Sequence, residues 1–226
     1  ELYRITKEGG VLVWVVADHV RDGEESGSSF RQALALQEVG FRLHQTLVME
    51  SVDFRFIHQL RYPGYLQYAF VLSKGRPKCV NVIQDMPRSS GTPKGSWVTD
   101  PDGRKRKIRT KKVQPTPFVR RGRVWRYGGR STKDQYALDH PAVMPEKMAR
   151  DFIVSYSQPG DLVFDPMCGS GTTCKMAVMT GRHYLGMEVC EPYYDIACRR
   201  VAEAKGQPCG TADTTDTIAL VDGRKH

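Results

Sequence analysis

No stretch of this 226-residue chain is apolar for long enough to cross a bilayer. The longest uninterrupted run, residues 11–17, has seven residues, against the roughly 20 a spanning helix needs, so no membrane-spanning helix is expected. No signal-peptide pattern opens the chain, and its first residue is Glu1 rather than Met. None of the six cysteines stand as Cys-x-x-Cys, and the histidines add no zinc-ligand spacing, so no metal is expected. The cysteines read as reduced thiols of an intracellular protein. No internal repeat is present. With 40% hydrophobic and 26% charged residues, the composition is that of a globular protein with a core, which excludes a chain disordered throughout.

Another absence is local. Residues 104–130 contain no acid but twelve Lys or Arg. The other 199 residues hold 22 basic against 25 acidic side chains. A mildly acidic body therefore carries one strongly basic segment. Like charges this dense repel one another and call for a counter-charge. The expected partner is a polyanion, with nucleic acid first and an anionic membrane surface second.

Patterning divides the chain into three parts: 1–73, 74–139 and 140–226. In the first, residues 1–8 read as the end of a helix. Gly9 and Gly10 stop it, and residues 11–17 read as a strand buried on both faces. Residues 18–27 are polar and loop-like. Ser28 or Ser29 can cap a helix that closes at Gly40. Residues 41–49 and 65–73 resemble strands. Regularity is lost over 74–139, where proline, glycine and basic residues are interleaved with Trp97, Phe118, Trp125 and Tyr127; this is an insertion or small subdomain. Trp125 and Tyr127 are expected to pack that insert's own core. Order returns with a helix that Pro145 opens, a short buried strand over 162–165, a glycine-rich turn into a helix ending near Thr180, a strand over 183–189 and a helix over 191–205 started by Pro192. Residues 217–221 can form one more strand. Strand–helix–strand–helix order predicts an α/β fold with a parallel sheet.

The informative segment is Asp165, Pro166, Met167, Cys168, Gly169, Ser170, Gly171, Thr172 and Thr173. Glycine lets a ligand approach the backbone, and the helix start presents free N–H groups. Glu188 ends the following strand, 17 residues after Gly171, where an acid can accept hydrogen bonds from both ribose hydroxyls of a nucleoside cofactor. A dinucleotide fingerprint needs a third glycine where Cys174 stands, and no P-loop pattern occurs. Asp165 would repel a pyrophosphate but can face an ammonium. S-adenosyl-L-methionine offers both an amino-acid end and a ribose.

These residues resemble the cofactor motif of the DNA methyltransferases that modify exocyclic amines of adenine or cytosine. The segment from His140, Pro141 and Ala142 to Lys147 resembles the same family's second cofactor motif. Gly186, Met187 and Glu188 with Tyr194 match its ribose-binding strand and following helix, and residues 68–75 resemble the last strand before its target-recognition region. The order, catalytic half, recognition insert, cofactor half, is the permuted arrangement called the beta class. The resemblance implies a Rossmann-like class I methyltransferase fold, a mostly parallel twisted sheet with helices on both faces and an irregular basic target-recognition insert. It implies S-adenosyl-L-methionine held by His140, Pro141, Ala142, residues 165–173 and Glu188, and double-stranded DNA as partner. Lys105, Arg106, Lys107, Arg109, Lys111, Lys112, Arg120, Arg121, Arg123 and Arg126 are the candidate DNA contacts. Adenine N6 is the preferred target, cytosine N4 the next. The setting implied is the cytoplasm of a bacterium, or a phage gene.

The sequence departs from the family at one place. Such enzymes carry an Asp-, Asn- or Ser-Pro-Pro-aromatic tetrapeptide whose polar groups accept hydrogen bonds from the target amine while its aromatic stacks on the flipped base. No Pro-Pro pair occurs in these 226 residues. In the permuted order the tetrapeptide and its strand are expected just before Glu1. The alternatives are a homodimer mate or second polypeptide that supplies the strand, or a relative without activity. Competing readings are a non-catalytic nucleic-acid-binding protein that keeps the fold, and a methyltransferase acting on RNA. No nucleophile is needed for direct transfer, so Cys168 reads as a small side chain in a tight turn.

Overall fold

A computed structural model describes residues 1–51, 65–88, 97–107, 116–128, 140–206 and 216–221. In chain order the elements are α1 (Leu2–Ile5), β1 (Val11–Val16), β2 (Val20–Arg21), β3 (Glu24–Glu25), α2 (Ser28–Glu38), β4 (Arg42–Ser51), β5 (Tyr65–Ser73), β6 (Gln84–Pro87), β7 (Trp97–Thr99), β8 (Lys105–Lys107), β9 (Phe118–Arg120), β10 (Val124–Tyr127), α3 (Glu146–Tyr156), β11 (Leu162–Asp165), α4 (Thr172–Met179), β12 (His183–Glu188), α5 (Glu191–Lys205) and β13 (Thr217–Leu220). Contacts divide the chain into a large unit, Glu1–Asn81 with Arg123–His226, and a small one, Val82–Gly122. No helix among the described residues is long and apolar enough to cross a membrane.

Among the described residues the large unit holds two sheets of three or more strands. One has the order β1-β5-β4-β10, the other β11-β12-β13. The second is parallel throughout, because α4 and α5 return the chain to the same end after each strand. In the first, β5 runs against both neighbours, while β10 lies parallel to β4. Tyr68, Phe70 and Leu72 alternate along β5 onto one face, where they pack with Ala33 and Leu36 of α2 and with Phe41. Helix α3 serves both sheets. Its Ala149 and Ile153 enter the core beneath β12 with Met176, Ala177, Tyr184, Ala197 and Val201. Its Phe152 stacks on Trp125 of β10, centroids 5.2 Å apart.

Several expectations from the sequence need correction. Trp125 and Tyr127 do not build a core for the insert. Both are buried in the large unit, and the Tyr127 hydroxyl donates to buried Asp151 of α3 at 3.0 Å. The separate unit, Val82–Gly122, is correspondingly narrower than 74–139. That stretch is also more regular than its composition suggested, with two antiparallel ladders, β6-β9 and β7-β8. Residues 18–27 contain a two-residue hairpin ladder, β2-β3. Strand β1, read as buried on both faces, and β11, read as a short buried strand, are only half-buried, and Leu162 is mostly exposed. Among the described residues each is the edge of its sheet, so one side lacks a neighbour.

Helix α2 is not capped by Ser28 or Ser29. Its N-cap is Gly27, without a side-chain bond. Asp18, half-buried beyond the end of β1, takes the role from a distance. Its carboxylate accepts from the Ser29 N–H at 3.1 Å and from the hydroxyls of Ser26, Ser28 and Ser29. These bonds, the Ser29 hydroxyl first, hold the Asp18 carboxyl far below the usual carboxylate range. Because the folded-state value is depressed, this stabilisation is complete above the unfolded carboxyl value of about 3.9 and is lost as pH falls below it. Asp18→Asn is expected to lower Tm by about 2–4 °C at neutral pH, and the gap to the unaltered protein should narrow in thermal melts taken toward pH 3.

Candidate functional site

The C-terminal ends of β11 and β12 lie side by side, since Asp165 pairs with Gly186 two residues before Glu188. Between them the chain makes the glycine turn. Asp165 Oδ1 accepts from the Met167 N–H at 3.1 Å, which folds the chain back at once after the strand. The Cys168 N–H bonds to the Met187 carbonyl at 2.9 Å and the Gly171 N–H to the Cys168 carbonyl at 2.8 Å.

The two glycines are required by neighbours within the protein. Gly171 has φ +74°, and a Cβ there would come within 2.7 Å of Ala197 Cβ on α5. Gly169 has φ +51°, and its Cβ would stand 3.0 Å from His140 Nε2. Sequence reasoning credited both to ligand approach; the structure adds a packing requirement, since Ala197 and His140 stand where their Cβ atoms would be. His140 is held in turn by the Ala142 N–H, which donates to Nδ1 at 3.1 Å, and by the edge contact of its ring with Tyr193. Burial pushes the imidazole below its ordinary pKa, against the pull of Glu188. A neutral ring accepting at Nδ1 carries its proton on Nε2.

Glu188 is buried. Oε2 accepts from the Gly169 N–H at 2.8 Å, and Oε1 accepts from Val189 and Cys190 N–H, both at 3.0 Å. These donors and the N-terminal end of α5 compensate its charge. Three of about four acceptor positions on the carboxylate are therefore taken. One stays free for a ligand hydroxyl; a second bond would have to displace a backbone donor.

Sequence reasoning missed the group beneath the turn. Arg200 is fully buried in α5. Nη1 donates to the Ser170 carbonyl at 2.5 Å and to the hydroxyls of Ser170 and Thr172 at 3.0 Å, and Nη2 reaches Glu146 Oε1 at 3.2 Å. Lys175 also meets Glu146, at 2.9 Å. The available signal was periodicity: Ala197, Arg200 and Val201 share the inward stripe of α5. Cys168 and Cys174 are buried on the other side, with both sulfurs over Gly186. The Cys168 hydrogen bond and burial push the Cys174 thiol well up.

The ten basic candidates fare unequally. Arg109, Lys111 and Lys112 lie outside the described residues. Arg121 is mostly buried and forked onto Asp85, Arg106 bonds Asp100 at 2.9 Å, and Arg126 bonds Glu50 at 2.6 Å. Lys105, Lys107, Arg120 and Arg123 are exposed.

A DNA methylase model for N6 and N4 methyltransferases matches residues 1–199. The chain belongs to the N6/N4 DNA methylase family. It is 44% identical over 213 residues to the orphan methyltransferase M.BamHII of Bacillus amyloliquefaciens, covering 89% of this chain and 78% of that protein. Among solved structures, its fold is similar to the cytosine-N4-specific PvuII DNA methyltransferase (TM-score 0.62, 20% identity, 86% of this chain and 64% of that one). It is also similar to a putative DNA modification methylase of Thermus thermophilus, solved with S-adenosyl-L-methionine (TM-score 0.57, 18% identity, 100% of this chain and 79% of that one). The Rossmann-like class I expectation is thereby met.

The buried guanidinium gives a direct test of what holds this family member's glycine turn. Arg200→Met keeps the length and removes four donated bonds; a loss of about 3–5 kcal/mol is expected in denaturant unfolding. Arg200→Lys should recover only part, because one ammonium cannot span Ser170 and Glu146 together.

Proposed function

We propose that the protein is a site-specific DNA methyltransferase that moves a methyl group from S-adenosyl-L-methionine to an exocyclic amine of a flipped base, adenine N6 in preference to cytosine N4. The observation that carries the reading is the joint placement of the glycine turn and buried Glu188 at the ends of adjacent parallel strands, in a chain of this family.

The residues fit that cofactor. The free acceptor position on Glu188 suits a ribose hydroxyl. Met167 and Val189 stand 68% and 62% exposed at the two strand ends, an unusual place for apolar side chains and a suitable one for a purine face. Asp165, half-buried, can orient a cationic amino end. The cofactor supplies a methyl group activated by its sulfonium. The chain's own contribution is positioning, which lowers the barrier of an in-line transfer without a covalent enzyme intermediate.

The arrangement is read as permuted, with catalytic half before cofactor half. The edges of β1 and β11, which have no neighbour among the described residues, are where a strand carrying the amine-accepting tetrapeptide would pair. The basic segment is read as the DNA-contacting region, with Lys105, Lys107, Arg120 and Arg123 the exposed cations available to phosphates.

The test is transfer of labelled methyl to unmethylated duplex DNA by the full-length protein, with the product nucleoside identified by mass. N6-methyladenine is the expected product, and N4-methylcytosine would change the assigned base. If the protein binds S-adenosyl-L-methionine but methylates structured RNA, or nothing, the DNA reading fails. Glu188→Gln sets an amide against three N–H donors. Calorimetry should show cofactor affinity reduced at least about tenfold, the effect of one badly satisfied buried group.

A further inference from the structure

The small unit presents one surface that its own structure leaves unbalanced. In the β7-β8 hairpin, Trp97 stands opposite Lys107, Val98 opposite Arg106 and Thr99 opposite Lys105. Side chains alternate along each strand, and directly opposed residues share a face. One face therefore bears Trp97, Thr99, Lys105 and Lys107; the other bears Val98 and Arg106.

The two faces differ in what satisfies them. On the second, Val98 is half-buried, and the Arg106 guanidinium is bonded to both Asp100 oxygens at 2.9 and 3.2 Å. On the first, Trp97 is 63% exposed and both lysines are exposed, with no acid at ion-pair distance from either lysine among the described residues. An indole left in water beside two uncompensated ammonium groups is costly as a resting surface and well suited to a partner with flat rings and negative charge. Lys105 and Lys107 stand about 6.8 Å apart along the strand, comparable with the spacing of successive phosphates. The charge excludes a basic partner, and the flat aromatic distinguishes nucleic acid from a bare anionic surface.

We propose that the Trp97 face of this hairpin is a nucleic-acid contact, in which the indole stacks on an unstacked base of duplex DNA while Lys105 and Lys107 hold neighbouring phosphates. The proposal rests on the DNA methyltransferase reading and names a base-contacting residue for it. A base turned out of a duplex leaves a gap beside its neighbours, and an inserted side chain can fill that gap. Trp125, by contrast, is buried against Phe152.

The experiment uses the full-length protein, duplex DNA and the intrinsic emission of its three tryptophans, of which Trp97 is the most exposed. DNA should quench the red-shifted component, and Trp97→Phe should abolish that quenching while retaining most of the affinity. Trp97→Ala should weaken binding about tenfold without changing the salt slope, since no charge is removed. The double variant Lys105→Gln, Lys107→Gln should lower the slope of log K against log salt by about 1.8. Thermal melts of each variant, matched to the unaltered protein, verify folding. Duplex binding with unquenched emission and an unaffected Trp97→Ala variant would overturn the proposal while leaving the methyltransferase reading intact. Absence of both duplex binding and DNA methylation would remove the reading itself.

Discussion

Everything at the candidate cofactor site depends on the burial of one guanidinium. Arg200 has no access to water, so its charge and its N–H groups must be answered inside the protein. The answer is the Ser170 carbonyl, the hydroxyls of Ser170 and Thr172, and Glu146. Those partners are the glycine turn, the first residue of α4 and the first residue of α3. One side chain on α5 thus ties the glycine turn and the α4 start that follows it to the start of α3, more than twenty residues earlier in sequence. Ala197, one turn earlier on α5, touches the place where a Gly171 Cβ would be. Helix α5 is therefore the surface on which the turn is laid. From the opposite side Glu188 holds Gly169 by its N–H, and His140 closes against the same glycine. A turn held from three directions offers its groups to a ligand without the entropy of ordering them at the moment of binding.

The features legible in the sequence share a property: their determinants are local. The strand, two-glycine turn and helix of residues 162–179, and Glu188 at the end of the next strand, are set by periodicity and by residues within about twenty positions. What was not legible was set by distant partners. The basic segment contains no acid, yet the fold brings Asp85 to Arg121 and Glu50 to Arg126, 36 and 76 residues away in sequence. Charge counting within a window cannot see those pairs, so it overstated how many arginines are free. Trp125 and Tyr127 lie in a stretch that reads as irregular, but β10 joins β4 in parallel, and that places them against α3. Asp18 caps α2 across an eleven-residue excursion that includes a hairpin. In each case the residue type was legible locally, while the partner it meets in the fold was set by a distant part of the chain.

Two strands show the reverse conflict. Residues 11–16 are uninterrupted apolar side chains, the composition of a strand with neighbours on both sides. In the described structure β1 pairs only with β5, and all six of its residues are half-buried. Among the described residues β11 pairs only with β12. An edge strand is ordinarily short, charged or interrupted to discourage pairing with another chain. β1 has none of these protections, and its composition suits added pairing rather than solvent. The glycine turn itself has no such deficit, since its backbone, Glu188 and Arg200 are hydrogen-bonded to one another's segments. On the proposed reading the division is a chemical one. The residues read as holding the methyl donor are ordered by hydrogen bonds among themselves, while the β1 edge remains able to take one more strand. Donor binding and amine recognition would then be separable properties, because the bonds that order the glycine turn do not pass through β1.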